Sequence, residues 1–413
     1  MSLTNLQIIN PITYPGWDEL LLRTPGASFF HSSAWAKVLA ESYGYTPLYF
    51  TVLENGKLRA LVPVMEVNSF LTGKRGVSLP FTDYCEPIVS ETSEFVVLFN
   101  SIIEYGKKKG WKYVELRGGE KNLRSQESGV SSQESGGSNL SPKSLVLGPG
   151  LNTEDSFIPQ SAIHNPQSEG SQPAMRNESS FFSTPYPLLP TPCPFKIYLG
   201  HTLDLTKGEE NIFSNLRDGT RRNIKKAIKE KVRAEIFNSL ESIKEFYRLN
   251  CMTRKEHDLP PQPFNFFKKI FDNVISKNLG LVILASYEDK NVAGGVYFHF
   301  GEKAVYKYGA SEMAYQNLRA NNLVMWEAIK WYCHNGFDHF CFGRTEPENQ
   351  GLIQFKSGWG TAEQKISYYL YDFRKEEFIS AKSKVTGFHN KIFRNMPLPL
   401  LKKLGSVIYK HVG

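Results

Sequence analysis

The chain contains Tyr306-Lys-Tyr-Gly-Ala-Ser311, then Cys341-Phe-Gly-Arg-Thr345, then Gln354-Phe-Lys-Ser-Gly-Trp-Gly360. In each block a glycine stands beside charged or aromatic residues. Glycine allows backbone to come close to a ligand. The same pattern also suits plain strand ends closed by turn glycines, so the surroundings decide. Leu281–Tyr287 and Val292–Phe300 read as a hairpin through Asp289, Lys290 and Asn291. Ala304–Gly309 is the next strand. Asn321–Asn335 is a helix stopped by Gly336, and Phe340–Gly343 is a short strand. Ahead of these lie a basic helix, Asn211–Lys229, and two more, Leu240–Thr253 and Pro263–Lys277. Helices, then strands, then a helix and a strand make a mixed α/β order. No G-x-G-x-x-G follows a strand and there is no P-loop, so this is not a Rossmann unit.

Further toward the N-terminus the pattern is again α/β. Phe29–Tyr43 reads as a helix that Ser32 or Ser33 can cap. Tyr49–Leu53 and Leu58–Val67 read as strands joined by Asn55-Gly56, a strong hairpin signal. Glu94–Lys109 reads as a helix ended by Gly110, with a strand at Lys112–Leu116. Residues 121–190 change character. They are rich in Ser, Gly, Pro, Asn and Gln, and Ser-Gln-Glu-Ser-Gly occurs at Ser125–Gly129 and again at Ser132–Gly136. Such a stretch buries too little apolar surface to offset chain entropy and reads as a disordered insertion. A strand at Ile197–Leu205 follows it.

A length of 413 residues predicts two or three domains, and 41% hydrophobic residues suffice for real cores. The cysteines (Cys85, Cys193, Cys251, Cys333 and Cys341) form no C-x-x-C pair. This argues against a disulfide framework or a zinc site, and no metal is expected. No signal-like start and no long apolar run appear, so the reading is cytoplasmic. The net charge of +8 is unevenly placed. Arg217–Arg233 has eight basic and two acidic residues, and Arg374–Gly413 has nine and two. Such clusters suit phosphates of RNA or lipid headgroups, or simply solvated helix faces.

These blocks, in this order, resemble the FemAB or FemABX family of the GNAT superfamily. The resemblance rests on Tyr308–Ser311, Phe342–Thr345 and Phe355–Gly360. It extends to Phe30-His-Ser-x-x-Trp-x-Lys37, Leu79-Pro-Phe-x-Asp-Tyr84, Arg221-x-x-Ile-x-Lys-Ala227 and Thr253-Arg254. It implies two tandem GNAT-like domains, at 1–205 and 206–364, with the insertion at 121–190 inside the first. A strand and basic tail at 365–413 would pack on the first domain. It also implies acyl transfer to an amine of a cell-envelope or polysaccharide-related precursor, such as a peptidoglycan precursor. The family's catalytic lysine falls on Lys356. Substrate-binding roles fall on Lys37, Arg254 and Tyr308. A binding aspartate of some members has no clear counterpart.

The chemistry of the residues agrees. Acyl transfer needs a donor for the oxyanion of the tetrahedral intermediate, and a lysine in a dry cleft supplies one. Such a lysine also relays a proton if burial lowers its pKa. Arg344 suits a phosphate or carboxylate through paired bonds, and Phe355 precedes the lysine in the motif. Lys37 and Arg254 suit an anionic acceptor. No cofactor is expected, and the donor is a co-substrate, aminoacyl-tRNA or an acyl-CoA. A tRNA donor suits Arg221, Arg222 and Lys225 on the basic helix. Acetyl-CoA ordinarily rests its pyrophosphate on glycine-rich backbone, and Gln316–Asn321 has no glycine. Two rivals stay open: an acyl-CoA-dependent N-acetyltransferase and a catalytically silent GNAT-like scaffold. The basic, apolar tail Lys375–His411 is either an interfacial helix at anionic lipid or a helix packed back on the first domain.

Overall fold

A computed structural model describes residues 6–123, 189–380, 393 and 395–412. The expected insertion at 121–190 lies almost wholly outside the described residues. At its borders Leu123 and Leu189 are buried in one apolar cluster, so the described chain leaves from and returns to the same core.

The first half runs β1 (Leu6–Ile9), α1 (Trp17–Leu22), α2 (Ser33–Tyr43), β2 (Thr46–Glu54), β3 (Lys57–Ser69), β4 (Gly73–Val77), α3 (Thr92–Lys109) and β5 (Tyr113–Arg117). β6 (Lys196–Asp204), α4 (Glu209–Asn215) and α5 (Asp218–Lys229) follow. The second half runs β7 (Arg233–Phe237), α6 (Leu240–Glu256), α7 (Phe264–Asn273), β8 (Gly280–Tyr287), β9 (Lys290–Phe300), β10 (Lys303–Ser311), α8 (Ala320–His334) and β11 (His339–Thr345). The chain ends through α9 (Gln350–Ser357), β12 (Ala362–Asp372), β13 (Glu377–Phe378) and α10 (Leu398–Val412). The halves repeat one order: strand, two helices, three antiparallel strands, a crossover helix, and a strand parallel to the last. All strands join one sheet in the order β1-β2-β3-β4-β5-β12-β6-β11-β10-β9-β8-β7, with β13 on β12. β12 pairs with β5 on one side and β6 on the other.

Local chemistry accounts for most element ends. The Ser32 side chain accepts from the Trp35 amide and caps α2. Asn55 and Gly56, at φ 51° and 71°, turn the β2–β3 hairpin. Two expectations shift. The β8–β9 turn falls on Glu288 and Asp289, at φ 45° and 61°, one position earlier than expected. The single basic helix is two, α4 and α5. Leu216 and Arg217 are extended there, and the Arg217 amide donates to Gly358 O at 3.1 Å. A long-range bond thus breaks a pattern that looks continuous in sequence.

The sheet has three main apolar clusters. One lies under α3 in the first half and one under α5 and α8 in the second. The third is shared by both halves on the opposite face. Trp35 of α2 is fully buried there. It packs on Phe29 and Phe30 of its own half and on Phe266 and Phe298 of the other, with ring centroids 5.7–6.1 Å apart. α10 seals the edge of this region. A Cβ on Gly405 would lie 2.0 Å from Pro261 O, so only glycine lets α10 approach so closely. Tyr45 donates to Tyr409 O at 3.0 Å and Arg75 to His411 O at 2.8 Å, while the Tyr409 hydroxyl donates to Pro260 O at 3.0 Å. α10 therefore touches first-half strands and the loop between α6 and α7.

Emptying the shared core has a definite cost. Trp35→Ala should destabilise the protein by about 3–5 kcal/mol, read as a fall in the urea midpoint. An unchanged midpoint would show that the halves do not rest on this contact.

Candidate active site

β10 and β11 pair in parallel only from Lys303–Val305 to His339–Cys341 and then part. Beyond that point β11 is bulged. Cys341 faces Thr202 and Arg344 faces Gly200, so Phe342 and Gly343 together oppose His201. Gly343 takes φ 70°, and a Cβ there would stand 3.2 Å from the Asp83 carboxyl carbon. The bulge frees backbone carbonyls from the ladder and lets Asp83 of the first half approach.

Lys356 in α9 takes up those carbonyls. Its Nζ donates to Gly343 O at 3.0 Å and to Arg344 O at 3.1 Å. The side chain is 3% exposed. Burial pushes its pKa down to about 8, against the pull of Asp83. A charged lysine has three N–H donors, so one is left over for another acceptor.

Asp83 is the centre of the cluster. Its Oδ2 lies 3.0 Å from Lys307 Nζ, which sits over the rings of Phe30 and Tyr308. Burial works to raise the Asp83 pKa, but Lys307, Arg344 and Lys356 outweigh it and hold the carboxylate below its ordinary value. Burial pulls Lys307 down, with Asp83 opposing. Three cations thus surround one carboxylate, and the surplus charge favours an anion. The Arg344 guanidinium lies 4.3 Å from the Tyr198 ring centroid and 5.1 Å from that of Tyr368, and it donates to the Tyr368 hydroxyl. Tyr368 of β12 in turn donates to Asp83 O. Arg117 of β5 closes the other end, bonded to Leu79 O, Thr82 O and Glu115.

The expected residues divide into groups. Lys356, Arg344 and Tyr308 gather around Asp83. The Tyr308 hydroxyl is buried without a hydrogen-bond partner. Burial raises it well above 10, helped by Asp83 and opposed by Arg254. Arg254 joins from α6 and donates to the Tyr409 hydroxyl. Phe355 turns toward the second-half core and packs on Trp359. Lys37 is about half exposed and lies 3.9 Å from Glu41 on its own helix. Arg222 and Lys225 are exposed on α5, whereas Arg221 bonds Asp218 and Ser214 O. At Gln316–Asn321, Arg319 adopts φ 61° and α8 starts after it.

Asp83, Lys307 and Tyr368 were not singled out from sequence. Asp83 lay inside the quoted Leu79–Tyr84 block, and Lys307 beside Tyr308. Their opposite charges give no sign of pairing across 224 positions. His201 is also fully buried at the bulge, with neither ring nitrogen hydrogen-bonded and Glu363 at 3.4 Å. Cavities of about 560 and 360 Å³ are lined by none of these cluster residues. Among the described residues no group of His, Cys, Asp and Glu could hold a metal, and no helix is long and apolar enough to cross a membrane.

Residues 214–357 match the acetyltransferase (GNAT) domain family, so the chain contains a GNAT-fold acetyltransferase domain, the fold of acyl-transfer enzymes. The architecture of the whole described chain is similar to that of FemX. The crystal structure of FemX matches with a TM-score of 0.59 at 12% identity, covering 88% of this chain and 97% of that one. Weaker likenesses include L-PGS from Bacillus licheniformis (TM-score 0.47, 12% identity, 99% of each chain). A tandem GNAT protein from the clavulanic acid biosynthesis pathway is another (TM-score 0.48, 8% identity, 92% and 100%). No curated protein matches in sequence.

The depressed Lys356 pKa makes a stability prediction. The folded protein releases this proton near 8, and the unfolded chain holds it to about 10.5. Between those values the unfolded state binds more protons, so stability rises with pH. Lys356→Met should remove roughly 3 kcal/mol of that rise. Urea midpoints of both proteins near pH 7 and pH 10 decide it, and an equal rise in the two would refute the assignment.

Proposed function

We propose that this protein transfers an acyl group, delivered as an aminoacyl ester on tRNA, to an amine of an anionic cell-envelope or polysaccharide-related precursor. The single observation behind this reading is Lys356. It is buried, held by two carbonyls at the gap between β10 and β11, and keeps one donor free. In the reaction the acceptor amine attacks the ester carbonyl, and a C–N bond forms as the carbonyl oxygen gains charge. The free Lys356 N–H binds that oxyanion in a dry setting, where such a bond is worth most. The C–O bond then breaks, the attacking nitrogen gives up one proton, and the departing tRNA oxygen takes up a proton and leaves as the hydroxyl.

The cation surplus around Asp83 supports an anionic acceptor. The unpartnered Tyr308 hydroxyl, with Arg254 nearby, offers it a polar anchor. The exposed basic residues Arg222 and Lys225 support the tRNA donor. The start of α8 has no glycine at Gln316–Asn321, which disfavours the glycine-cradled pyrophosphate of an acyl-CoA there.

Lys356→Met should lower single-turnover transfer from charged tRNA to an envelope-precursor extract by about a hundredfold or more. The wild-type rate should fall as pH rises through about 8, where Lys356 loses its proton. That limb should be missing from the residual activity of the variant. A wild-type rate in Lys356→Met would remove the lysine from the chemistry.

Binding of charged tRNA and of acetyl-CoA, compared at fixed salt, tests the donor. Arg222→Glu with Lys225→Glu should weaken tRNA binding and lower its salt slope by roughly one for each phosphate no longer neutralised. Saturable acetyl-CoA binding with no response to tRNA would replace the tRNA donor with an acyl-CoA.

A further inference from the structure

Phe70 and Leu71, at the turn between β3 and β4, are 81% and 60% exposed. Two adjacent large apolar side chains in water forgo the free energy of burial unless something covers them. The turn is well held. The amides of Leu71 and Thr72 donate to Ser69 Oγ at 3.2 and 3.0 Å. It is also tied to α10. Ser69 Oγ lies 3.0 Å from His411 Nδ1, Thr72 Oγ1 donates to His411 O at 3.1 Å, and the Phe70 ring packs edge-on against His411.

α10 continues the same surface. Leu401 and Gly405 are buried on its inner side, and His411 is buried under the Phe70 turn. Its outer side shows Leu400 and Val407, 53% and 49% exposed, with the exposed Lys403 and Lys410 along the same face. Leu400 and Val407 are about two turns apart and fall nearly in line. His411 stands four residues past Val407, about 40° round the helix, so the Phe70 ring borders that line. No Asp or Glu occurs in 398–412 or in 70–80, whereas Lys74, Arg75, Lys402, Lys403 and Lys410 do.

We propose that the Phe70–Leu71 turn and the outer face of α10 form one docking surface for anionic lipid. Phe70, Leu71, Leu400 and Val407 enter the interface, and Lys403 and Lys410 meet headgroup phosphates. The charge pattern selects this occupant. A second copy meeting the patch face to face would set lysine against lysine. Tyr409 of α10, whose hydroxyl accepts from Arg254, stands about 200° round the helix from Val407, so α10 itself lies between the lipid face and the Arg254 edge of the candidate site.

The test is sedimentation of the full chain with vesicles of phosphatidylcholine alone, or of phosphatidylcholine and phosphatidylglycerol in equal parts. It reads partition rather than acyl transfer, so it stands apart from the role of Lys356. Wild type should prefer the anionic vesicles by roughly tenfold or more and be released by salt. Phe70→Ser with Leu71→Ser should cut partition by about tenfold or more, and Lys403→Glu with Lys410→Glu should abolish the preference. Unchanged thermal midpoints would confirm that the variants are folded. Equal partition onto both vesicles, binding that ignores salt, or variants that bind like wild type would overturn the proposal. So would a wild-type dimer in solution that either double substitution dissociates.

Discussion

The ion pair between Asp83 and Lys307 joins the two halves at the place where the sheet parts. Both side chains are largely out of water, 16% and 6% exposed. Taking two charges from water costs several kcal/mol per ion, and their attraction repays it only with good geometry and further bonds. Such a pair is poor stabilising material compared with apolar packing, and here the packing comes from Trp35 and the shared core. What the pair supplies is position. It draws the Leu79–Tyr84 segment against the β11 bulge. The crowding of Asp83 against Gly343, the Tyr368 bond to Asp83 O and the seat of Arg344 all depend on that contact.

The balance of charge around it gives the site its chemical character. One carboxylate offsets only part of the charge on Lys307, Arg344 and Lys356. Burial lowers the pKa of both lysines while the carboxylate raises it. Lys356 is left with a pKa near 8, which suits the oxyanion-binding role proposed for it. Arg344 solves the same burial problem differently. Between the Tyr198 and Tyr368 rings its cation is held by aromatic faces and a hydroxyl rather than by a carboxylate. It is thereby placed without being neutralised.

Repetition explains why one sheet serves both halves. Each half ends in a parallel pair made by a crossover helix, α3 or α8. Beyond its short parallel register each pair parts, because strands twist. In the first half the gap is met by the 79–82 loop, held by Arg117. In the second half it is met by Lys307 and by the Lys356 side chain from α9. β12 and β6 fill the centre and bring these two regions side by side.

The sequence by itself determined the elements and several members of the cluster around Asp83. The 3.6-residue and alternating patterns, Ser32 as a cap and Asn55-Gly56 as a turn are local physics, and they produced the helices and strands close to where they lie. Motif order pointed to Lys356, Arg344 and Tyr308 for the same reason, since each stands in a short block of distinctive residues. Only the tertiary structure decided which charges meet. Asp83 and Lys307 are ordinary residues until the fold sets them 3.0 Å apart. The break between α4 and α5 needs a carbonyl from Gly358, and the exposed turn at Phe70 joins α10 across more than three hundred residues. Local rules act over a few residues. Burial, charge balance and exposure are properties of neighbours that the chain supplies only when it has folded.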